Sequence, residues 1–157
     1  MTEVERIVDQ LRRAYEGEAW HGPSLRELLD RVAAAQAARR PLPQAHTIWE
    51  LVLHIAAWES IVRRRLGGEA VEATPEQDWP PVPDTGDAAW KKALDDLHRG
   101  HLALRQAIDT LTDEQLRQKV VGQKYSVYAM LHGVVQHDLY HAGQIALLKK
   151  AVTAVQP

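Results

Sequence analysis

Three histidines of this chain are spaced so that they could share one metal ion. His137 and His141 stand four residues apart in His137-Asp138-Leu139-Tyr140-His141-Ala142-Gly143-Gln144-Ile145, inside a long apolar-periodic run near the C-terminus. On an α-helix, positions four apart differ by about 40° in direction and lie one turn above each other, so two imidazoles there can point at the same ion. A third ligand must come from another segment. His54, in the middle of the helical run from Leu51 to Glu59, is the candidate. The bare His-x-x-x-His pair is a weak signal, because histidines on a partly buried helix face are often satisfied by hydrogen bonds alone.

The chemistry such a site permits follows from its ligands. Three neutral imidazoles leave at least one position open on a tetrahedral or larger ion, where water or a substrate atom can bind. A divalent ion there can lower the pKa of water towards about 7, or stabilise a thiolate or an oxyanion. Hydrolysis and thiol transfer are both open. With no cysteine in the chain, ligands are limited to histidine, carboxylate and water. Nickel, zinc, iron, copper and cobalt all accept imidazole, so the ion's identity is not fixed by these residues.

Neighbouring residues have competing readings. Asp138 and Gln144 could fix the imidazole tautomers from outside the ligand set. Asp138, about 100° round the helix from His137, could instead pair with a neighbouring helix, and Gln144 could satisfy backbone groups. His132 points about 140° away from His137 and about 180° from His141, which removes it from the set. Tyr140 reads as packing. Gly133, one turn below His137, costs a helix about 1 kcal/mol relative to alanine; close helix packing is the first explanation and room for a ligand the second. Trp58 reads as core before pocket wall, and Arg105 as a solvated side chain before a contact for an acidic substrate. Arg63-Arg64-Arg65 reads as a solvated helix end.

The elements that must position these residues are helical. Val4, Ile7, Val8, Leu11 and Tyr15 give residues 2–16 a helical stripe. Ser24 with Glu27 marks a capped start for a short helix through Leu28, Leu29 and Val32, and 33–38 can continue as a turn until Pro41 and Pro43. Thr47 with Glu50 marks the start of a long helix to about Leu66, ended by Gly67-Gly68. Residues 69–85, with Pro75, Pro80, Pro81 and Pro83 around Trp79, have no helical period and read as a long loop or lid. Asp87 opens a third long helix with the stripe Trp90, Leu94, Leu97, His101, Leu104 and Ile108, in which His101 reads as an imidazole hydrogen-bonded within the core. After a short turn capped by Thr112 to Gln115, the last helix runs from near Ser126 to about Ala151. Four long amphipathic helices imply an all-α bundle, a fold that builds metal sites from facing side chains.

Composition bounds the rest. At 157 residues, with 45% hydrophobic and 25% charged residues, the chain is read as one soluble domain, 1–157. No run approaches a membrane span, and no signal-peptide core follows the acidic start, so the cytoplasm is the expected location. The 19 basic and 21 acidic residues are mixed along the chain without a basic stripe, which argues against a nucleic-acid partner.

Two stretches carry a family resemblance that spans nearly the whole chain. Thr47-Ile48-Trp49-Glu50-Leu51-Val52-Leu53-His54 and the run from His137 to Ile145 resemble the DinB/YfiT-like superfamily of metal-dependent enzymes. The resemblance implies an up-down-down-up four-helix bundle, a divalent ion on His54, His137 and His141, and a homodimer. It also implies a small-molecule substrate, with thiol-dependent S-transferases or isomerases and hydrolases among the members. A metal- or small-ligand-binding protein associated with stress and without turnover is the alternative; an open coordination position beside a concave pocket would favour the enzyme.

Overall fold

The computed structural model describes residues 1–154. The helices are α1 (Glu3–Glu16), α2 (Leu25–Leu29), α3 (Ala34–Ala38), α4 (Ile48–Leu66), α5 (Pro75–Asp78), α6 (Asp87–Asp109) and α7 (Val127–Thr153), with a 3₁₀ turn at Gln115–Arg117. Among the described residues the only β-type pairing is a single bridge between Lys119 and Ser126.

Capping chemistry sets the helix starts. The Thr47 hydroxyl accepts the Glu50 N–H at 3.1 Å while the Glu50 carboxylate accepts the Thr47 N–H at 2.8 Å, so two donors that an α-helix leaves free are paired. Thr2 with Glu5 and Ser24 with Glu27 open α1 and α2 in the same way. At its other end α4 passes through Gly67 into Gly68, whose φ of +88° is a left-handed conformation that glycine adopts without strain. The segment 69–85 differs from the sequence expectation. It contains one helical turn, α5, with Thr74 as cap and Pro75 at its first position.

Helices α1 and α4 each pack on both α6 and α7. The interior consists of two apolar clusters. One gathers Ile48, Val52 and Ile55 of α4, Leu97 of α6 and Ile145 of α7 with residues of α2 and α3. The other gathers Ile7 and Leu11 of α1 with Val62, Leu104, Leu131 and Val134. Truncating a fully buried leucine such as Leu97 to alanine is expected to cost about 2–5 kcal/mol.

A buried polar layer lies where the clusters meet. Along α4, Glu59 falls between Ile55 of the first cluster and Val62 of the second; along α6, His101 falls between Leu97 and Leu104; along α7, Asp138 falls between Val134 and Ala142. Each of these three polar residues occupies a core position of its own helix, and the histidine candidates lie beside them.

Candidate metal centre

The middle of α4 and successive turns of α7 bring His54, His137 and His141 together. Their donor nitrogens lie within 4.8 Å of one another, and Nε2 of His54 is 2.9 Å from Nε2 of His137. The ring of His141 meets that of His54 edge-on, with centroids 4.6 Å apart.

Each ring has an acceptor at its other nitrogen. His54 Nδ1 lies 2.5 Å from the Asp78 carbonyl oxygen, His141 Nδ1 lies 2.7 Å from Gln144 Oε1, and His137 Nδ1 lies 3.5 Å from Asp138 Oδ1. These acceptors favour hydrogens on Nδ1 and leave lone pairs on Nε2. Two such lone pairs facing each other at 2.9 Å repel unless a proton or a cation lies between them. Two nitrogens ligating one ion at about 2.0–2.1 Å would be roughly 2.9–3.4 Å apart, so the His54–His137 pair has the spacing of two ligands on one divalent ion, and His141, within 4.8 Å of both, could supply a third. Burial holds the His54 and His141 imidazoles below the usual histidine pKa, in the neutral form that a ligand requires.

The 69–85 segment closes over this group. The Trp79 ring stacks on His54 at 3.8 Å and, on its opposite face, on His46 at 3.5 Å. The Trp58 indole N–H donates to the Asp78 carboxylate at 2.7 Å. One helical turn thus supplies a backbone acceptor, a side-chain acceptor and an aromatic cover.

Asp138 faces the interior, not solvent, and is only 1% exposed. Its carboxyl lies within 4.8 Å of that of Glu59 in a fully buried group with His101. Oε2 of Glu59 and Oδ2 of Asp138 have no hydrogen-bond partner among the described residues, so burial and the closeness of two like charges favour a proton on the pair. Glu59 Oε1 in turn lies 2.8 Å from His101 Nδ1, and Tyr15 stacks on the His101 ring at 4.1 Å. Burial drives all three groups towards neutrality, raising Asp138, lifting Glu59 to about 8 and depressing His101 to about 3. Asp138 therefore faces both ways weighed from sequence, one oxygen towards His137 and the carboxyl beside Glu59 of a neighbouring helix. The sequence reading missed Glu59, although Ile55, Glu59 and Val62 keep the four-and-three spacing of a core stripe.

Several expectations are corrected. Trp58 is a pocket wall: with Val62, Met130, Gly133 and Val134 it lines an apolar cavity of about 340 Å³ that reaches His137. No heavy atom would meet a Cβ at Gly133 within 4 Å, so this glycine borders open space and does not serve close helix packing. Tyr140 is 66% exposed and packs into no core, because its direction on α7 is outward. Arg65 is not solvated like the rest of its run; it is 7% exposed and turned inward. Arg105 is ion-paired with Glu16, which its position opposite the end of α1 permits. His132, by contrast, lies away from the site as its direction on the helix predicts, 3.4 Å from Glu3 of α1.

Among the described residues no helix is long and apolar enough to cross a membrane. The crystal structure of a "conserved protein of locus from Enterococcus faecalis" aligns with a TM-score of 0.72 at 17% identity, over 98% of this chain and 99% of the other, which shows a shared fold. No protein of curated function matches. The profile of the DinB superfamily matches residues 19–145, which hold His54, His137 and His141 together with Asp138 and Glu59, and the chain belongs to that superfamily.

Proposed function

We propose that this protein is a divalent-metal-dependent enzyme that activates a small nucleophile, water or a low-molecular-weight thiol, for attack on a small-molecule substrate. His54, His137 and His141 hold the ion. The observation that carries this reading is the apolar cavity that reaches His137 next to three converging lone pairs. A buried ion with no cavity beside it would have favoured a binder without turnover.

When bound, a divalent ion supplies the positive charge that lets water or a thiol lose its proton near neutral pH. The chain's own residues do the remaining work. The Asp78 carbonyl, Gln144 and Asp138 hold the three imidazoles in one orientation. Trp58, Val62 and Met130 keep bulk water from the substrate, which strengthens charge interactions at the reacting end.

Elemental analysis of purified protein, with a screen of low-molecular-weight thiols and ester or halide electrophiles, tests the reading. Chelation is expected to abolish turnover while the helical circular dichroism persists, because the apolar clusters form without the ion. Unfolding on chelation would make the site structural, and metal without turnover in the whole screen would favour the binder. A homodimer belongs to the same proposal. Tyr140 and Leu147, two turns apart on one face of α7, are 66% and 68% exposed. A monomeric mass by light scattering at high micromolar concentration would remove it.

A further inference from the structure

The cavity that reaches His137 has a second polar end. Arg65, on the last turn of α4, lines it together with Tyr125. The guanidinium has five N–H donors, and three are used. Nε and Nη2 donate to the Val71 carbonyl at 3.1 and 2.7 Å, and Nη1 donates to the Tyr125 hydroxyl oxygen at 2.7 Å. One N–H on each terminal nitrogen is left over. The Tyr125 hydroxyl, having accepted from Arg65, keeps its own hydrogen to donate.

The charge balance at this end is incomplete. Arg65 is 7% exposed, and among the described residues no carboxylate lies within ion-pair distance of it. A buried cation is ordinarily paired. Its side chain also lies under Trp58, with the guanidinium carbon 5.7 Å from the ring centre, and the partial negative charge of the α4 C-terminus offsets part of its own. On its other side Arg65 borders a second hollow that contains Glu72 and Asp78. An anion is therefore repelled there. The cavity towards His137 has no acidic lining residue.

We propose that the substrate of this site is an amphiphilic carboxylate whose carboxyl group docks on Arg65 and Tyr125, whose apolar body lies along Trp58, Gly133 and Val134, and whose reacting end meets His137. The inference rests on the functional reading above for the reacting end only. A carboxylate fits better than a phosphate dianion, because two N–H groups and one O–H match two oxygens and the partly offset charge of Arg65 balances no more than one negative charge. The dimensions agree. Gly133 and Ala129 lie one and two turns from His137, about 6 and 12 Å along α7. A cavity of about 340 Å³ takes roughly ten non-hydrogen atoms when about 30 Å³ is allowed for each. Gly133 matters because any side chain there would enter this space.

Calorimetric titration with octanoate and with octanamide, which have the same size and differ in charge, tests this on metal-loaded and chelator-treated protein. Octanoate is expected to bind at least tenfold more tightly than octanamide, with or without metal. Arg65→Met should erase that preference and Tyr125→Phe should reduce it several-fold. Gly133→Leu should abolish binding of both probes while the metal content stays unchanged. Tyr125 is partly exposed, so Tyr125→Phe remains informative if Arg65→Met does not fold. Equal binding of the two probes, or a preference that survives both Arg65→Met and Tyr125→Phe, overturns the proposal. Octanoate binding that is lost with the metal and indifferent to Arg65 would place the carboxylate on the ion, which overturns this inference and leaves the metal reading standing. Absence of metal with the octanoate preference intact would do the reverse.

Discussion

The backbone carbonyl of Asp78 lies 2.5 Å from Nδ1 of His54, so the closing loop itself orients one of the three converging imidazoles. Trp79, the next residue, covers the same ring. Trp79→Ala should release this cover and loosen the Asp78 carbonyl at the end of α5. Metal affinity, measured by competition with a chromophoric chelator, is expected to fall about 10–100-fold, the usual effect of losing a group that orients a ligand. An unchanged affinity would reduce the loop to a covering role.

The pH dependence of metal binding follows from burial. Free histidine protonates near 6.5, but desolvation lowers the pKa of His54 and His141 in the folded chain. Protons should therefore compete with the ion only at pH values below the ordinary histidine range. Metal retention measured from pH 8 to pH 4.5 should stay level through 6.5 and then fall. A midpoint at or above 6.5 would contradict the burial argument.

His132 and His137 share α7 but differ in direction. His132→Ala should keep its metal and lose a contact with Glu3 of α1, a partly exposed pairing worth less than about 1 kcal/mol, together with the packing of its ring on Tyr128. His137→Ala should lose most of its metal by elemental analysis. Equal loss in both proteins, each folded by circular dichroism, would remove His137 from the ligand set.

Glu59 can be probed by charge and by shape. Glu59→Gln keeps an acceptor for His101 and offers a donor to Asp138, whereas Glu59→Leu strands both partners in the core and should cost roughly 3–5 kcal/mol. The carboxyl of Glu59 is raised to about 8 from an ordinary value of 4.5, so its stabilising share is complete below pH 4.5 and is lost as pH rises towards 8. His101 acts oppositely. Its folded value of about 3, below the ordinary 6.5, withdraws stability as pH falls from 6.5 towards 3. Glu59→Gln removes only the first effect. In urea melts of metal-free protein, the stability of Glu59→Gln relative to the native chain should be higher at pH 7.5 than at pH 5. The same difference at both pH values would mean that Glu59 does not change its proton affinity on folding.

Much of this arrangement is written in local pattern. Thr47 with Glu50 and Gly67-Gly68 bracket α4 because capping and termination act within a few residues, and the four-residue spacing of His137 and His141 makes their common direction a matter of helix geometry. Side chains whose role depends on a distant partner were read less well. Trp58 has the spacing of a core residue, and only the folded chain brings the Asp78 carboxylate to its indole. Arg65 looks like one of three solvated arginines until Val71 and Tyr125 are seen to draw it inward. Thr74-Pro75 with Gln77 did carry a start signal for α5, which the surrounding prolines obscured.

The polar layer between the two apolar clusters has a consequence for how the helices are aligned. Leucine and isoleucine faces can slide past one another by a turn, about 5.4 Å, and still meet apolar neighbours. Glu59, His101 and Asp138 cannot. A shift of α7 by one turn against α4 would set the Asp138 carboxyl against an apolar layer and leave Glu59 without its counterpart, a penalty of several kcal/mol for each stranded group. The layer thus works as an index mark that admits one register, and the height at which α4 and α7 present His54, His137 and His141 to one another is fixed by folding itself, before any ion arrives.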